Sequence, residues 1–101
     1  MKVRNMTSSK GNKIANQFII SDVVNEMSGN AIEYFQSYNT IIAKRDCFRA
    51  NTKTRQVWLD AEKWDYSKTT GKYRNLFLGE TKAQTQKKID SGEYKLENLN
   101  R

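Results

Sequence analysis

Alternating polar and hydrophobic residues dominate the first part of the chain. Residues 2–7 alternate, and residues 14–20 form a second short apolar run. The segment between them, 8–13, is rich in serine, glycine, asparagine and lysine. Two such runs on either side of a turn-forming segment predict a β-hairpin. Residues 22–30 follow as a connection that ends in a Ser-Gly-Asn turn signal. Three residues of this connection have the spacing of one helical turn: Val23, Val24 and Met27.

The longest apolar segment, 31–45, fits two interpretations. As a single strand, it places Ile32, Tyr34 and Ile42 on one face and residues such as Phe35 and Ala43 on the other. As a strand followed by a helix, it uses Ser37 as the helix N-cap. In that case one helical face holds Tyr38, Ile41, Ile42 and Arg45. The β-branched and aromatic content favours the strand.

Two further segments complete the predicted sheet. Residues 47–55 are polar and basic, which is typical of a loop. Residues 56–60, Gln-Val-Trp-Leu-Asp, have the composition of a short strand. Together with the hairpin and the 31–45 segment, they predict an antiparallel β-meander of about four strands.

The C-terminal third changes to a helical pattern. Residues 70–78 place Tyr73, Leu76 and Phe77 at helical spacing, which predicts that these side chains fasten a helix to the sheet. Gly79 follows where a helix C′ glycine belongs. The hydroxyl groups that precede the helix supply its N-cap. The candidates for this cap are Ser67 and Thr69.

A second helix is predicted from a capping box. Thr81 is followed three residues later by Gln84, and Gly92 stops the helix after about Asp90. Its inner face is weak and consists of Ala83, Thr85 and Ile89. Residues 94–96 alternate again and form either a last strand or an extended tail. The pattern as a whole predicts an α+β fold, in which the small antiparallel meander is followed by two short C-terminal helices.

The size of the chain limits what it can build. Its 101 residues predict a single domain over residues 1–101. Hydrophobic residues are 37% of the chain, fewer than in most globular domains, and an aromatic content of 11% compensates for this because aromatic side chains bury large areas. The N-terminus lacks the apolar run of a signal peptide, and no segment is long and apolar enough for a membrane span.

The composition argues against catalysis. Histidine is absent, so the commonest general base and the usual zinc and iron ligands are missing. Cys47 is the only cysteine, so an intramolecular disulfide is impossible and a reducing compartment, the cytoplasm, is expected. Asp60, Glu62 and Asp65 form an acidic trio, but their spacing matches no calcium loop and indicates a solvated turn. We therefore expect a non-enzyme without cofactor or metal.

The Ser67–Lys72 segment shares a Gly-Lys pair with the phosphate-binding loop but not its full pattern. The Walker pattern requires a glycine, four residues, and then Gly-Lys-Ser/Thr. Tyr73 follows Gly71 and Lys72, and position 66 is a tyrosine, so the pattern fails. A hydroxyl-rich helix start can still hold one phosphate, with Lys68 and Lys72 adding positive charge. A simple helix cap is the competing interpretation.

Positive charge indicates an acidic partner. The formal net charge is +7, which favours nucleic acid or an acidic protein surface. The densest basic segment is 44–55, where cations surround Phe48 and Asp46 is the only acid. This pattern suits phosphate contacts and one base stack, and a hairpin here would project as a two-stranded finger. The alternative is a solvated loop with Phe48 folded back on the core. The cations are Lys44, Arg45, Arg49, Lys53 and Arg55.

Most aromatic side chains are needed for the core of so short a chain. We expect at most two of them to be exposed for binding, with Tyr38 and Tyr66 first.

Two segments together resemble a known group of proteins. Ser37-Tyr38-Asn39-Thr40-Ile41-Ile42-Ala43 and Tyr66-Ser67-Lys68-Thr69-Thr70-Gly71-Lys72-Tyr73 are similar to segments of small uncharacterised proteins encoded by tailed bacteriophages and prophages. Members of that group pair a Ser-Tyr-x-Thr-x-Val/Ile-Ala segment with a later Ser-x-Thr-Thr segment that precedes a helix. Many of them have histidine where Tyr73 stands. The resemblance spans residues 34–78 and implies a viral origin and a small accessory role.

The sequence thus predicts a phage-type accessory protein that acts in the host cytoplasm. It is expected to bind nucleic acid, or a host protein that handles nucleic acid, through Lys44, Arg45, Phe48, Arg49, Lys53 and Arg55, with Lys68 and Lys72 extending the surface. Two alternatives stay open. One is an inhibitor of a host defence or regulatory protein, which would bind an acidic protein surface. The other is a minor structural or assembly protein.

Overall fold

A computed structural model describes residues 2–25, 30–48 and 54–100. This part of the chain forms strands β1 (Lys2–Thr7), β2 (Lys13–Asn25), β3 (Asn30–Ser37), β4 (Thr40–Phe48) and β5 (Thr54–Asp60). Helices α1 (Lys68–Leu78) and α2 (Lys82–Asp90) and strand β6 (Tyr94–Glu97) follow.

The strands form one sheet whose spatial order is the chain order, β1 to β6. Neighbours from β1 to β5 are antiparallel, and β6 pairs with β5 in parallel. A parallel pair requires a long crossover, which α1 and α2 supply. The predicted α+β class is confirmed, but the described sheet has six strands instead of about four. The helices lie between β5 and β6 and do not follow the sheet.

The favoured strand interpretation of residues 31–45 is right about the β conformation but misses a tight turn that divides the segment into two strands, and the helical alternative is wrong. Tyr38 and Asn39 separate β3 from β4. Tyr38 adopts a left-handed φ of 58°, and its N–H donates to the carbonyl of Asn16 at 2.6 Å. A non-glycine residue in this conformation is uncommon, so the sequence contains no ordinary hairpin signal here.

Two other predicted boundaries shift in the same direction, towards more strand. Val23 and Val24 belong to β2 and not to a helical turn, and Met27 lies outside the described residues. The predicted loop at 47–55 is shorter, since β4 continues to Phe48 and β5 starts at Thr54. The predicted hairpin at the N-terminus is confirmed by β1 and β2.

The core lies between the sheet and the two helices. Phe35 on β3 is fully buried, and its ring stacks on Phe77 of α1 with 5.9 Å between centroids. Tyr73 also packs against this core. Leu76 does not, since it is 58% exposed, and its predicted role in fastening α1 is wrong. The buried hydrophobic residues are Met6, Phe35, Ile42, Ala43, Val57, Leu59, Phe77 and Tyr94.

The helix ends follow the local sequence signals. The Ser67 hydroxyl accepts the N–H of Thr70 at 3.1 Å, so Ser67 and not Thr69 is the N-cap of α1. Gly79 ends the helix in a left-handed conformation with φ 70°. Thr81 and Gln84 form the predicted capping box of α2. No helix in the described ranges is long and apolar enough to span a membrane.

Candidate functional site

The described parts of the basic segment 44–55 belong to the paired strands β4 and β5. The two strands pair antiparallel, and Cys47 is opposite Thr54. Phe48 is the last residue of β4, and Arg55 is the second residue of β5. Arg49 and Lys53 lie outside the described residues. The described ends of the segment are therefore paired as antiparallel strands, and the basic finger stays a prediction.

Arg45 points towards the helices and is already paired. Its guanidinium contacts the Glu33 carboxylate, with Nη2 to Oε1 at 2.7 Å and Nε to Oε1 at 2.9 Å. Its Nη1 donates to the carbonyl of Phe77 at 2.7 Å, and the guanidinium carbon lies 4.2 Å from the centre of the Phe77 ring. This arrangement joins β3, β4 and the end of α1. A phosphate contact by Arg45 would have to break it.

Lys44 points the opposite way, onto the outer face of the sheet. Its ammonium lies 4.7 Å from the centre of the Trp58 ring. The register continues this row of side chains across all six described strands. The paired positions are Val3, Ile20, Tyr34, Lys44, Trp58 and Lys95. Because directly opposed residues share a face of a sheet, these side chains form one continuous band.

The two faces of the sheet differ in burial. On the inner face, Phe35 and Leu59 are completely buried beneath the helices. On the outer face, Tyr34 and Trp58 are half-buried, and so is Phe18, which lies two residues from the band on β2. The outer face thus presents three aromatic side chains from β2, β3 and β5. We call the band together with Phe18 the outer aromatic face.

The sequence pattern alone does not single out this face. Tyr38 and Tyr66, the two aromatic residues expected to be exposed, are indeed exposed, by 51% and 44%. The period-two pattern around Tyr34 was visible, but the side on which the helices pack was not.

A second basic surface surrounds the first turns of α1. Lys68 and Lys72 are exposed there, and they line a pocket of about 450 Å³ together with Gly71, Arg74 and Lys82. We call this the α1 pocket. Its one carboxylate is Asp65, whose oxygens lie 2.6 Å from Lys82 Nζ and 3.3 Å from Arg74 Nη1.

Asp65 is held ionised by these two partners. Burial alone would raise its pKa, but the hydrogen bonds from Lys82 and Arg74 outweigh burial and lower the pKa below 3.8. Asp65 is therefore part of a charge network and not of a freely solvated turn. Asp60 also departs from that prediction, since it is 3% exposed and accepts the backbone N–H groups of Lys63 and Leu99.

Arg74 was missed by the sequence analysis. Its side chain is 1% exposed. The guanidinium carbon lies 5.1 Å from the centre of the Trp64 ring, and Nη1 donates a hydrogen bond to the Trp64 carbonyl at 2.6 Å. One signal was available, because Arg74 lies on the same helical face as Thr70 and Phe77, at the spacing of buried positions. A charged residue in such a stripe needs partners.

The segments 37–43 and 66–73 are in direct contact. The Ser37 hydroxyl at the end of β3 lies 3.0 Å from the Thr70 hydroxyl in α1, and both side chains are fully buried. The segments therefore meet where α1 packs on the sheet. A family model matches residues 1–93, a range that contains both segments.

The chain belongs to a family of unknown function, DUF8033. The match covers every element except the end of the chain from β6 onward. No curated protein and no solved structure matches the chain. The DUF8033 match therefore carries no activity over to this protein.

Proposed function

We propose that this protein is a small non-enzymatic accessory protein that binds single-stranded nucleic acid on its outer aromatic face. The observation that carries the proposal is the alternation of Tyr34, Lys44 and Trp58 on three adjacent strands. Aromatic rings stack on unpaired bases, and neighbouring lysines contact the phosphates between them. A sheet holds these groups in fixed positions, so little side-chain ordering is required when the strand binds.

The charge of the chain supports the same partner. The net charge of +7 attracts a polyanion, and Lys44 and Lys95 place two cations within the band itself. The β4–β5 hairpin continues from Lys44 and Trp58 towards the basic residues of segment 44–55. Arg55, the second residue of β5, would extend the nucleic-acid surface at this end, as the sequence predicts, and Arg49 and Lys53 lie outside the described residues.

The bacteriophage resemblance supports the biological setting of the proposal. An accessory protein of a tailed phage would act in the host cytoplasm, where single-stranded DNA and RNA are both present. The proposal does not depend on this setting, because it concerns the chemistry of the face and any unpaired strand would serve.

The experiment compares matched aromatic variants. Fluorescence anisotropy with an unphosphorylated oligo(dT) probe should show binding that weakens from low to moderate salt. Trp58→Ala and Tyr34→Ala should each weaken binding by about 1–3 kcal/mol, the usual contribution of one stacked base. Leu76→Ala removes an exposed side chain on the helix side that does not line the α1 pocket, and should leave affinity unchanged. Equal losses in all three variants, or salt-independent binding, would refute the proposal.

The apolar members of the band support a second candidate. Val3 is 60% exposed at the β1 edge, beside Ile20. Exposed apolar residues on a sheet face also suit a second copy of the chain, as expected for an assembly component. Light scattering distinguishes the two: a dimer that dissociates on Val3→Lys, without nucleic-acid binding, favours self-association.

A further inference from the structure

We propose that the α1 pocket binds a phosphate group. The site is separate from the outer aromatic face, because its lining residues come from α1, the turn before it and the start of α2. Four cationic side chains, those of Lys68, Lys72, Arg74 and Lys82, surround it, and Asp65 is the one carboxylate in its lining. The pocket is thus electropositive even after the Asp65–Lys82 ion pair is counted.

Arg74 supplies the first independent observation. Its guanidinium is buried, and it makes three hydrogen bonds, to the Trp64 carbonyl, to Asp65 and to Asn75. These bonds do not exhaust the N–H donors of a guanidinium, and Nε has no partner in the described structure. A buried charged donor without an acceptor is unfavourable. The guanidinium fork matches the oxygens of phosphate as well as those of carboxylates, and the neighbouring lysines favour the more highly charged anion.

Gly71 supplies the second independent observation. A glycine inside a helix lowers helix stability, so its presence requires a reason. Packing does not provide one, since a Cβ at this position would lie 3.6 Å from Arg74 Nη2 and 3.8 Å from Asp65 Oδ1, which are ordinary contact distances. That Cβ would, however, cover the guanidinium from the pocket side. We infer that Gly71 keeps the floor of the pocket open to a ligand.

The exposed lysines complete the arrangement. Lys68 and Lys72 lie one helical turn apart on the first part of α1, so both ammonium groups can reach a ligand above Gly71. Lys82 approaches from the start of α2 through its contact with Asp65. A phosphate in the pocket would compete with Asp65 for Lys82 and Arg74. Removing the Asp65 charge should therefore strengthen phosphate binding.

The test titrates the protein with inorganic phosphate at constant ionic strength and follows backbone amide chemical shifts. Saturable shifts are expected at Gly71 and Lys72. Gly71→Ala should weaken phosphate binding about tenfold, in line with the loss of one charge-assisted hydrogen bond. Asp65→Asn should strengthen it. The control Lys87→Ala removes an exposed lysine of α2 that does not line the pocket, and should change nothing.

Folding does not confound this comparison. Alanine is a better helix former than glycine and meets no clash at position 71, so the thermal midpoint of Gly71→Ala should equal or exceed that of the wild type. Lys72→Ala provides a second variant with the backbone unchanged. Absence of saturable shifts in the wild type would overturn the proposal. So would phosphate binding that neither Gly71→Ala nor Lys72→Ala weakens.

A second experiment, which compares phosphorylated with unphosphorylated oligonucleotides, identifies the source of the phosphate. A 5′-phosphorylated oligonucleotide that binds more tightly than its unphosphorylated form, with the difference lost in Lys72→Ala, assigns the pocket to a nucleic-acid end. If the phosphorylated and unphosphorylated oligonucleotides bind with equal affinity while inorganic phosphate still binds, the pocket is assigned to a free phosphate compound. Trp58→Ala should leave phosphate binding intact in either case, so failure of the outer-face proposal and failure of this one remain distinguishable.

Discussion

Ser37 and Thr70, which are 33 positions apart in the chain, share a buried hydrogen bond of 3.0 Å between their hydroxyl groups. Ser37 is the last residue of β3 and precedes the tight turn at Tyr38, whereas Thr70 lies in the first turn of α1. The bond therefore fixes the start of the helix against one end of the sheet. It also bears on the position of the α1 pocket, which is lined by residues of α1 and of the turn before it, from Asp65 onward.

Removing either hydroxyl should destabilise the protein. Ser37→Ala or Thr70→Val leaves the other buried hydroxyl without this partner, which should cost about 1–3 kcal/mol in the free energy of unfolding. The double variant should cost less than the sum, because no unpaired group remains. Urea denaturation followed by circular dichroism measures all three. Strict additivity of the two single losses would contradict the coupling inferred from the structure.

The N-cap of α1 can be tested by a matched pair of hydroxyl deletions. Ser67→Ala removes the acceptor for the Thr70 N–H and should lower the free energy of unfolding by about 1 kcal/mol. Ser67→Asp should restore most of the loss. Thr69→Ala, at an exposed position two residues later, should change stability by less than about 0.5 kcal/mol. The reverse ranking in chemical denaturation would assign the cap to Thr69.

Lys44 and Arg45 are neighbours in sequence that should respond oppositely to mutation. Arg45→Ala breaks the contacts with Glu33 and Phe77, and should lower the free energy of unfolding by about 1–3 kcal/mol. Lys44→Ala should leave stability within about 0.5 kcal/mol. Under the outer-face proposal, Lys44→Ala should also reduce the slope of log affinity against log salt by about one. Denaturation and salt-dependent anisotropy give the two readouts, and a stable Arg45→Ala variant with reduced binding would reverse the assignment.

Acidification should destabilise the protein through Glu80. Burial raises the pKa of this carboxyl, but hydrogen bonds from Lys88, Thr85 and Tyr94 prevail and hold it below 4.5. The folded state then binds the proton more weakly than the unfolded state. The stabilising contribution of the Glu80 carboxylate is therefore present above about pH 4.5 and is lost as the pH falls through the pKa of Glu80 in the folded state.

Glu80→Gln tests this contribution. The variant should be less stable than the wild type at neutral pH, and the difference should shrink as the pH falls below 4.5. Glu62→Gln serves as the control, because Glu62 is exposed and its side chain is not part of this network. Thermal melts over a pH series provide the measurement. A constant difference between wild type and Glu80→Gln at all pH values would show that Glu80 does not act through its charge.

Local signals predicted the helical third of the chain well. The caps at Ser67, Gly79 and Thr81 each involve groups within four residues of one another, so a short stretch of sequence contains both the donor and the acceptor. The sheet was harder to predict. The hairpin turn at Tyr38 depends on Asn16, which lies in another strand, and β6 depends on pairing with β5 across two helices.

The candidate surfaces divide in the same way. The sequence by itself determined the positive charge, the absence of histidine, the α+β class and the lysines at the start of α1. Only the tertiary structure decided that Lys44 faces outward beside Trp58 while Arg45 packs on Phe77, and that Arg74 and Gly71 line one pocket. The physical reason is the side-chain alternation of a strand. Its period places neighbours on opposite faces, but which face is covered depends on where the helices dock.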